Sequence, residues 1–397
     1  MVDEVGQHRD RCAIVGVGQT AFSRSSGRSV LSLATEASLA AIHDAGLAPS
    51  DIDGIVRCDF DVVGHHDLAN ALGLNDLSYW GFAGPGGNAP AALMAQTVGA
   101  IMSGQAKNVL MFRSLNGRSG FRLGKGRTQM QSGPLGGNGS YDEYFGPYGL
   151  ASPGQAWAML AQRHMHEYGT TSEQLGAIAL ACRENAHANP GAQMGGRTMT
   201  MDDYLASPMI SSPLRLNDYC LETDGACAVV VTSAERAADC ARPPVLVRGV
   251  ALGAVPGMQG GMVFPTLLRP DPLVQPAEAV ARKLYAHAGM GPEDIDVAQL
   301  YDCFTITVLV QLEAYGFCAP GQGGPFAESG AIATGGSLPI NTSGGNLSDG
   351  YIHGMSHIVE GTRQLRGEST AQVPGAETCL VTSGLPVVSG AMILRKA

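Results

Sequence analysis

One stretch near the C-terminus combines residue types that contact ligands with residue types that transfer protons. Asn341–Gly354 reads NTSGGNLSDGYIHG, and its four glycines among Asn, Ser and Asp disfavour a helix or a strand interior. An apolar pattern with helical spacing follows at once, so we predict a loop that leads into a helix. Such a loop brings backbone N–H groups close to a ligand. Candidates to line that site are Gly344, Gly345, the phenol of Tyr351 and the imidazole of His353.

The two histidines of this region allow a second interpretation. His353 and His357 have the i, i+4 spacing of a metal-binding pair on a helix, and Glu360 follows them. No further ligand is apparent in the sequence, and the positive end of a helix repels a cation. We therefore predict no metal site, and we expect His353 to relay a proton beside Tyr351.

A second glycine-rich segment, Gly81–Asn88, lies in the first half of the chain. The residues after it, Ala89–Ile101, are small and apolar almost all round, which predicts a buried helix. A loop that precedes a buried helix is a suitable place for a ligand. Gly84 and Gly86 are therefore candidates for substrate binding.

Basic residues are concentrated in one long connection. Arg113–Leu150 is glycine-rich and lacks convincing periodicity, and connections of this kind are usually functional or mobile. It holds five of the 25 basic residues of the chain, which are Arg113, Arg118, Arg122, Lys125 and Arg127. Such a cluster suits phosphate binding, for which Arg118, Arg122 and Lys125 are our candidates, and it equally suits a solvated loop.

Composition narrows the class of protein. The chain has 397 residues, of which 45% are hydrophobic and 15% charged, and this predicts a well-buried protein of two units. The net charge of −10 argues against a nucleic-acid surface, and the sequence has no apolar run of about 18 residues that would predict a membrane span. Met1–Cys12 lacks the apolar core of a secretory signal. Nine cysteines without a C-x-x-C pair fit reduced thiols in the cytoplasm.

A nine-residue motif occurs twice in the chain. Ala45–Asp53 and Ala288–Asp296 agree at six of nine positions, and each follows a helical pattern and precedes an apolar strand. Their separation is too long for a solenoid repeat and indicates duplication of a whole half. Alternating strands and helices predict an α/β fold with mainly parallel sheets between helices. We assign the halves to residues 1–241, with a long loop excursion at about 113–220, and 242–397; their glycine-rich loops should meet at the seam.

These motifs resemble the thiolase superfamily, particularly the branch of sterol-carrier-protein-type thiolases and lipid-transfer proteins. The similarity covers essentially the whole chain, and the matching stretches are Val15–Phe22, Thr223–Ala226, Tyr301–Phe304 and Asn341–Gly354. The resemblance implies a duplicated, five-layered α-β-α-β-α fold, a homodimer and an acyl-CoA substrate at the seam. It implies no separate cofactor, because coenzyme A enters as part of the substrate.

The chain departs from the thiolase pattern at the reactive positions. The turn that carries the nucleophilic cysteine of a thiolase is Gly84–Gly87 here. The His-Asp-Cys-Phe motif is replaced by Tyr-Asp-Cys-Phe at Tyr301–Phe304, so a tyrosine stands at the histidine position. The Gly-His-Pro motif is replaced by Gly350–Ile352, which places Tyr351 at the histidine position. Without an activated thiol no acyl-enzyme is expected. Asp302 follows Tyr301 on a strand, faces the other way and is predicted to be structural.

Steroid side-chain-cleaving aldolases of the lipid-transfer branch share this tyrosine-for-histidine pattern. The resemblance implies retro-aldol cleavage of a β-hydroxyacyl-CoA, namely a 17-hydroxysteroid thioester that gives a 17-ketosteroid and propionyl-CoA. Tyr301, Tyr351 and His353 would be catalytic, and a small OB-fold protein, of the domain-of-unknown-function type, would be the partner subunit. Two alternatives stay open: an inactive subunit that binds lipid or acyl-CoA, and a thiolase that uses an unrecognised cysteine such as Cys303.

Overall fold

The computed structural model describes residues 6–74, 76–84, 86–120, 122, 148–150, 152–254, 271–384 and 389–397. The helices are α1 (Val30–Asp44), α2 (His65–Leu72), α3 (Ala89–Met102), α4 (Pro153–Tyr168), α5 (Ser172–His187), α6 (Met201–Ala206), α7 (Ala234–Ala237), α8 (Pro276–Ala288), α9 (Thr305–Ala314), α10 (Gly323–Glu328), α11 (Gly345–Ser348) and α12 (Met355–Arg366). The strands are β1 (Cys12–Gln19), β2 (Gly54–Cys58), β3 (Tyr79–Ala83), β4 (Asn108–Asn116), β5 (Met209–Ser211), β6 (Leu214–Arg215), β7 (Asp224–Ser233), β8 (Val245–Gly253), β9 (Val297–Gln299), β10 (Thr378–Ser383) and β11 (Ser389–Lys396). None of the described helices is both long and apolar enough to cross a membrane.

Nine of these strands form one hydrogen-bonded sheet in the order β3-β2-β4-β7-β1-β8-β11-β10-β9. The order β2-β4-β7-β1 in the first half corresponds to β9-β10-β11-β8 in the second, so the two halves have the same topology. They join through two residue pairs between β1 and β8. The prediction of mainly parallel sheets is wrong. Among the described strands only the pairs β2–β3, β2–β4 and β9–β10 are parallel, because β7 and β11 return antiparallel beside β4 and β10.

The repeated nine-residue motif has the same structure in both halves. Each copy ends a helix at a glycine with positive φ, forms one turn of 3₁₀ helix and enters a strand. Its last residue accepts backbone hydrogen bonds at the start of the neighbouring strand. Asp53 accepts from Asn108 N at 2.8 Å, and Asp296 accepts from Thr378 N at 3.0 Å. The duplication read from the sequence is therefore confirmed at the level of individual hydrogen bonds.

Helices separate and cover the two half-sheets. α1 and α2 pack on the outer face of the first half-sheet around Leu33, Ile42 and Leu68. α3 and α12 lie between the half-sheets and share one core, which includes Leu93 and Ile358. α8 and α9 cover the outer face of the second half-sheet. The order is α-β-α-β-α, so the five-layered fold is confirmed, and both middle helices begin at the seam.

The described part of the excursion out of the first half contains the end of β4 and two helices, α4 and α5. Arg113–Asn116 belong to strand β4, so the predicted loop begins later than its sequence indicates. α4 and α5 then pack against α9 and share its core, through side chains such as Trp157 and Leu175. Chain from the first half thereby covers the second half beside the seam.

Candidate active site

Tyr301 follows the short strand β9 and is held through its backbone. Its N–H donates to Thr382 Oγ1 at 2.8 Å, and its carbonyl accepts from Gln311 Nε2 at 2.8 Å. Thr382 lies on β10 and Gln311 on α9, and these two side chains hydrogen-bond to each other at 2.5 Å. The strand end is therefore fixed from two sides, and the ring of Tyr301, only 4% exposed, has a defined direction.

Tyr351 reaches the same point from the loop between α11 and α12. Its backbone N–H donates to Thr223 Oγ1, just before β7, at 2.9 Å. The hydroxyl oxygens of Tyr301 and Tyr351 are 2.8 Å apart, which is a direct hydrogen bond. The structure brings together the two tyrosines selected from the sequence; both belong to the second half, and Tyr351 contacts the first half through Thr223.

The glycine turn before α3 lies directly against these phenols. A Cβ atom on Gly87 would be 2.0 Å from the hydroxyl oxygen of Tyr301, and one on Gly86 would be 3.6 Å from Cε1 of His353. Because no real Cβ approaches an oxygen that closely, glycine is required at position 87 while Tyr301 keeps this position. Gly84 lies farther back, where a Cβ would overlap the carboxylate of Asp59 at 2.0 Å.

Asn88 ends the same turn and begins helix α3. Its side chain is buried, and Oδ1 has no hydrogen-bond partner among the described residues. A Cβ on Gly384 would lie 1.3 Å from this oxygen, so the amide is pressed against the chain that follows β10. The side chain lines the same cavity as the tyrosines. The sequence had not singled it out.

His353 precedes α12 in a left-handed conformation, with φ of 52°. Arg113 of β4 donates to its Nδ1 from Nε at 3.1 Å and from Nη2 at 2.9 Å. Arg113 is buried and forms an ion pair with buried Asp61, Nη1 to Oδ2, at 3.2 Å. Burial and the adjacent guanidinium lower the pKa of His353 well below its ordinary value. The imidazole is therefore neutral, with Nδ1 facing Arg113, and its role as a proton relay beside Tyr351 stays a prediction.

The tyrosines and His353 open into a cavity of about 610 Å³. One wall is apolar and is formed mainly by the excursion and by the start of α9, with the side chains of Trp157, Ile210, Leu216, Tyr219 and Phe304. The charged side chains among the described lining residues are Arg24, Arg118, Arg122, Arg183, Arg197 and Glu222. Five cations face one carboxylate in a chain of net charge −10, so the cavity favours an anionic ligand with a bulky apolar part.

Several predicted residues lie elsewhere. Gly344 and Gly345 are buried at the start of α11, where added Cβ atoms would meet Ala186 and the Asp302 carboxylate, and they do not line the cavity. Arg113 is not a loop cation available to a phosphate, because it is buried in β4 with Asp61. Lys125 lies outside the described residues. The loop itself contains the four-residue helix α11, which its composition had argued against.

The interpretation of His353 and His357 as a metal pair does not agree with their positions. The helix begins after His353, so the two residues do not share a helix face. His357 is buried, and its Nε2 lies 3.0 Å from Oδ1 of Asp302. Asp302 also accepts from the N–H groups of Asn346 and Leu347 at 2.9 and 3.1 Å, which anchors α11. Asp302 faces away from Tyr301, as predicted, and fixes the loop that carries Tyr351.

The thiols near the cavity are not activated. Cys220 and Cys303 line it, and burial raises the pKa of Cys303 to about 12 and that of Cys220 well above the usual range. Cys58 lies behind the glycine turn, and burial raises its pKa to about 12. A thiol is a strong nucleophile only as a thiolate, so these three are poor nucleophiles in this arrangement.

Comparison with known proteins agrees with this geometry. Residues 266–395 match the family model of the thiolase C-terminal domain. The chain is 43% identical to the 17-hydroxy-3-oxo-4-pregnene-20-carboxyl-CoA lyase of Mycobacterium tuberculosis, over 97% of this chain and 99% of that protein. The chain belongs to the thiolase superfamily, in the branch of the steroid side-chain-cleaving aldolases. Its thiolase fold holds the hydrogen-bonded hydroxyls of Tyr301 and Tyr351 beside the glycine turn before α3.

Two further relatives support the assignment to this branch of the thiolase superfamily. The steroid side-chain-cleaving aldolase of Thermomonospora curvata is 42% identical over 96% of this chain and 97% of its own length. A solved structure described as "Ltp2-ChsH2(DUF35) aldolase" superimposes with a TM-score of 0.92 at 40% identity, covering 98% of each chain. These matches confirm the resemblance to the thiolase superfamily and the duplicated thiolase fold that the sequence motifs predicted.

Proposed function

We propose that this protein is an aldolase that cleaves a β-hydroxyacyl-CoA by retro-aldol chemistry, with a 17-hydroxysteroid side-chain thioester as substrate. The observation that carries the proposal is the direct hydrogen bond between the Tyr301 and Tyr351 hydroxyls at the head of a cavity with one apolar wall and an excess of arginines. Relatives of 42–43% identity are named as a steroid-CoA lyase and a steroid side-chain-cleaving aldolase. The products are a 17-ketosteroid and propionyl-CoA.

The two phenols form a proton path in this proposal. Burial raises the pKa of Tyr301 well above its ordinary value, and the adjacent Tyr351 raises it further. Burial also raises the pKa of Tyr351 well above its ordinary value, although the hydrogen bond with Tyr301 and the charge of Arg113 act against this shift. Both residues are thus neutral phenols at rest, so the reaction starts without a free tyrosinate.

The mechanism follows from that resting state. As the bond between the carbinol carbon and the α-carbon breaks, the substrate hydroxyl gives its proton to Tyr351, whose own proton passes to Tyr301. Tyr301 takes up that proton as it gives its own phenolic proton to the α-carbon of the acyl-CoA enolate, so neither phenol becomes charged. The carbinol becomes a ketone and no proton is gained or lost overall. Negative charge develops on the thioester oxygen meanwhile, and it requires hydrogen-bond donors there. No cofactor takes part, since coenzyme A belongs to the substrate.

The function is tested by incubating the protein with a panel of β-hydroxyacyl-CoAs, with and without an OB-fold partner. We expect ketone and a shortened acyl-CoA without added free CoA, and an unmodified chain by intact-mass analysis during turnover. A binding subunit would release no ketone. A thiolase would require free CoA and would show an acylated cysteine. Either result would overturn the proposal.

Arg118 and Arg122 are proposed to bind the phosphates of coenzyme A. Arg122 Nε donates to Oε2 of Glu222 at 2.7 Å, and Arg118 forms an ion pair with the same oxygen at 3.6 Å, so one positive charge is left over. Contacts to a remote phosphate are equally strong in the ground and transition states. The double variant Arg118→Ala/Arg122→Ala should therefore raise KM roughly tenfold to hundredfold with kcat nearly unchanged. Steady-state kinetics check this, with Arg163→Ala on the exposed face of α4 as the control.

Partners and location belong to the same proposal. The solved structure cited above pairs an aldolase with a DUF35 protein by its description, and we propose a small OB-fold subunit of that type as partner. We also propose a homodimer through β3. This edge strand leaves Trp80 and Phe82 each 54% exposed, and a second copy would cover both. Nine unpaired cysteines support a cytoplasmic location.

A further inference from the structure

The contacts of His353 point to a role that differs from proton transfer. Arg113 is a donor only and stays protonated, so an imidazole nitrogen that faces it must accept. Two guanidinium nitrogens contact Nδ1, at 2.9 and 3.1 Å. The single proton of the neutral ring therefore resides on Nε2. No described residue accepts a hydrogen bond from that atom, and the ring lines the cavity.

We propose that the buried pair Asp61–Arg113 holds His353 as the Nε2–H tautomer, and that this N–H binds the thioester oxygen as it becomes an enolate oxygen. The inference rests on the aldolase function proposed above. His353 is then a catalytic hydrogen-bond donor, and Arg113 and Asp61 are positioning residues that act through it. The left-handed backbone at His353 and the edge contact of its ring with Tyr351, at 4.8 Å between ring centroids, fix the direction of the donor.

The surroundings favour a neutral donor over a charged one. The ionisable groups that face the His353–Arg113 unit come from β2 and its following loop, from β4 and from the loop before α12; they are Cys58, Asp61, Arg113 and Tyr351. Cys58 and Tyr351 are uncharged, and the Asp61 carboxylate is engaged by Arg113 and by Ser114, whose hydroxyl donates to it at 3.1 Å. A second positive charge on His353 would repel Arg113, so the ring stays neutral across the working pH range.

Two substitutions of His353 separate the proposed donor from a structural role. In Gln the amide nitrogen reaches the position of Nε2, whereas in Asn it reaches only the position of Nδ1, although Asn tolerates left-handed backbone well. We expect His353→Asn to lower kcat by about 10²–10³, the usual cost of one lost oxyanion donor, with little change in KM. We expect His353→Gln to stay within about tenfold of the wild type in kcat. A His353→Asn variant that folds and keeps its kcat would overturn the inference.

The tautomer is tested independently of turnover. Ring ¹⁵N spectra of the histidine-labelled full chain should show the His353 proton on Nε2 and no titration between about pH 5.5 and pH 8, with the His353→Gln spectrum as the assignment control. The variant Asp61→Asn/Arg113→Met removes both charges together and leaves no donor to Nδ1. It should show mixed tautomers and a kcat lowered by about tenfold or more. An unchanged tautomer and kcat in that variant would overturn the positioning role. A wild type that releases no ketone would overturn the function and leave the tautomer assignment standing.

Discussion

Replacing Tyr351 or Tyr301 by phenylalanine is expected to lower kcat by roughly 10²–10⁴-fold each, the usual contribution of a positioned acid or base. The change keeps the ring, so the packing at the seam stays intact while the 2.8 Å hydrogen bond between the hydroxyls is lost. In a proton path through both phenols, removal of either hydroxyl interrupts the whole path. The double variant should therefore be little slower than the slower single variant.

Ketone release under saturating substrate measures this effect, and Tyr285→Phe is the matched control. Tyr285 is a half-buried tyrosine of α8 whose hydroxyl donates to the carbonyl of Tyr315 at 2.8 Å, and it does not line the cavity. Loss of its hydroxyl should affect stability by about 1 kcal/mol and leave kcat unchanged. Single variants at the tyrosine pair that cleave at near-normal rates would exclude the phenols and redirect attention to Cys303 and His353.

Much of the fold was predictable because local pattern and global arrangement agree. The helical pattern after Asn341–Gly354 predicted α12, and the repeat at Ala45–Asp53 predicted two similar halves before any pairing was known. Strand direction was not predictable in this way. Whether β7 returns parallel or antiparallel beside β4 depends on the long chain between them, and strand periodicity contains no information about that path.

Some residues of the candidate site could be predicted from the sequence, and others could not. Tyr301 and Tyr351 were found by resemblance to a family motif, and the structure places their hydroxyls in contact. No sequence pattern links Asp61, Arg113 and His353 to one another, since Arg113 and His353 are 240 positions apart. The glycine-rich residues after β4 also made Arg113 look like part of a loop cluster. A signal did exist, because Asn108–Phe112 is strand-like and one further alternation would have placed Arg113 within the strand.

Glycine content alone was a poor guide to ligand contact. Gly87 lies against the hydroxyl of Tyr301, whereas Gly344 and Gly345 let α11 approach α5 and the carboxylate of Asp302. Both situations require a residue without a side chain, so both produce the same sequence pattern. Only the positions of the neighbouring side chains distinguish a glycine beside the cavity, such as Gly87, from one that lets two helices approach each other.

The buried pair Asp61–Arg113 should make a second large contribution, this time to stability. Asp61→Ala leaves the guanidinium of Arg113 buried without its counter-ion and also removes the acceptor of the Ser114 hydroxyl. Breaking one partner of a buried ion pair typically costs about 3–5 kcal/mol, because the remaining charge is neither solvated nor paired. Urea unfolding of the full chain measures the loss in the free energy of unfolding.

Two further variants test whether the loss of stability arises because the remaining charge is buried. Glu167→Ala breaks the exposed ion pair with Arg163 on α4 and should cost only about 0.3–0.5 kcal/mol, since water solvates the remaining charge. Asp61→Asn/Arg113→Met should be more stable than Asp61→Ala, because it leaves no unpaired charge behind. If Asp61→Ala cost as little as Glu167→Ala, the guanidinium of Arg113 would have access to water. The guanidinium could then turn towards water, and its two N–H groups would not have to point at His353.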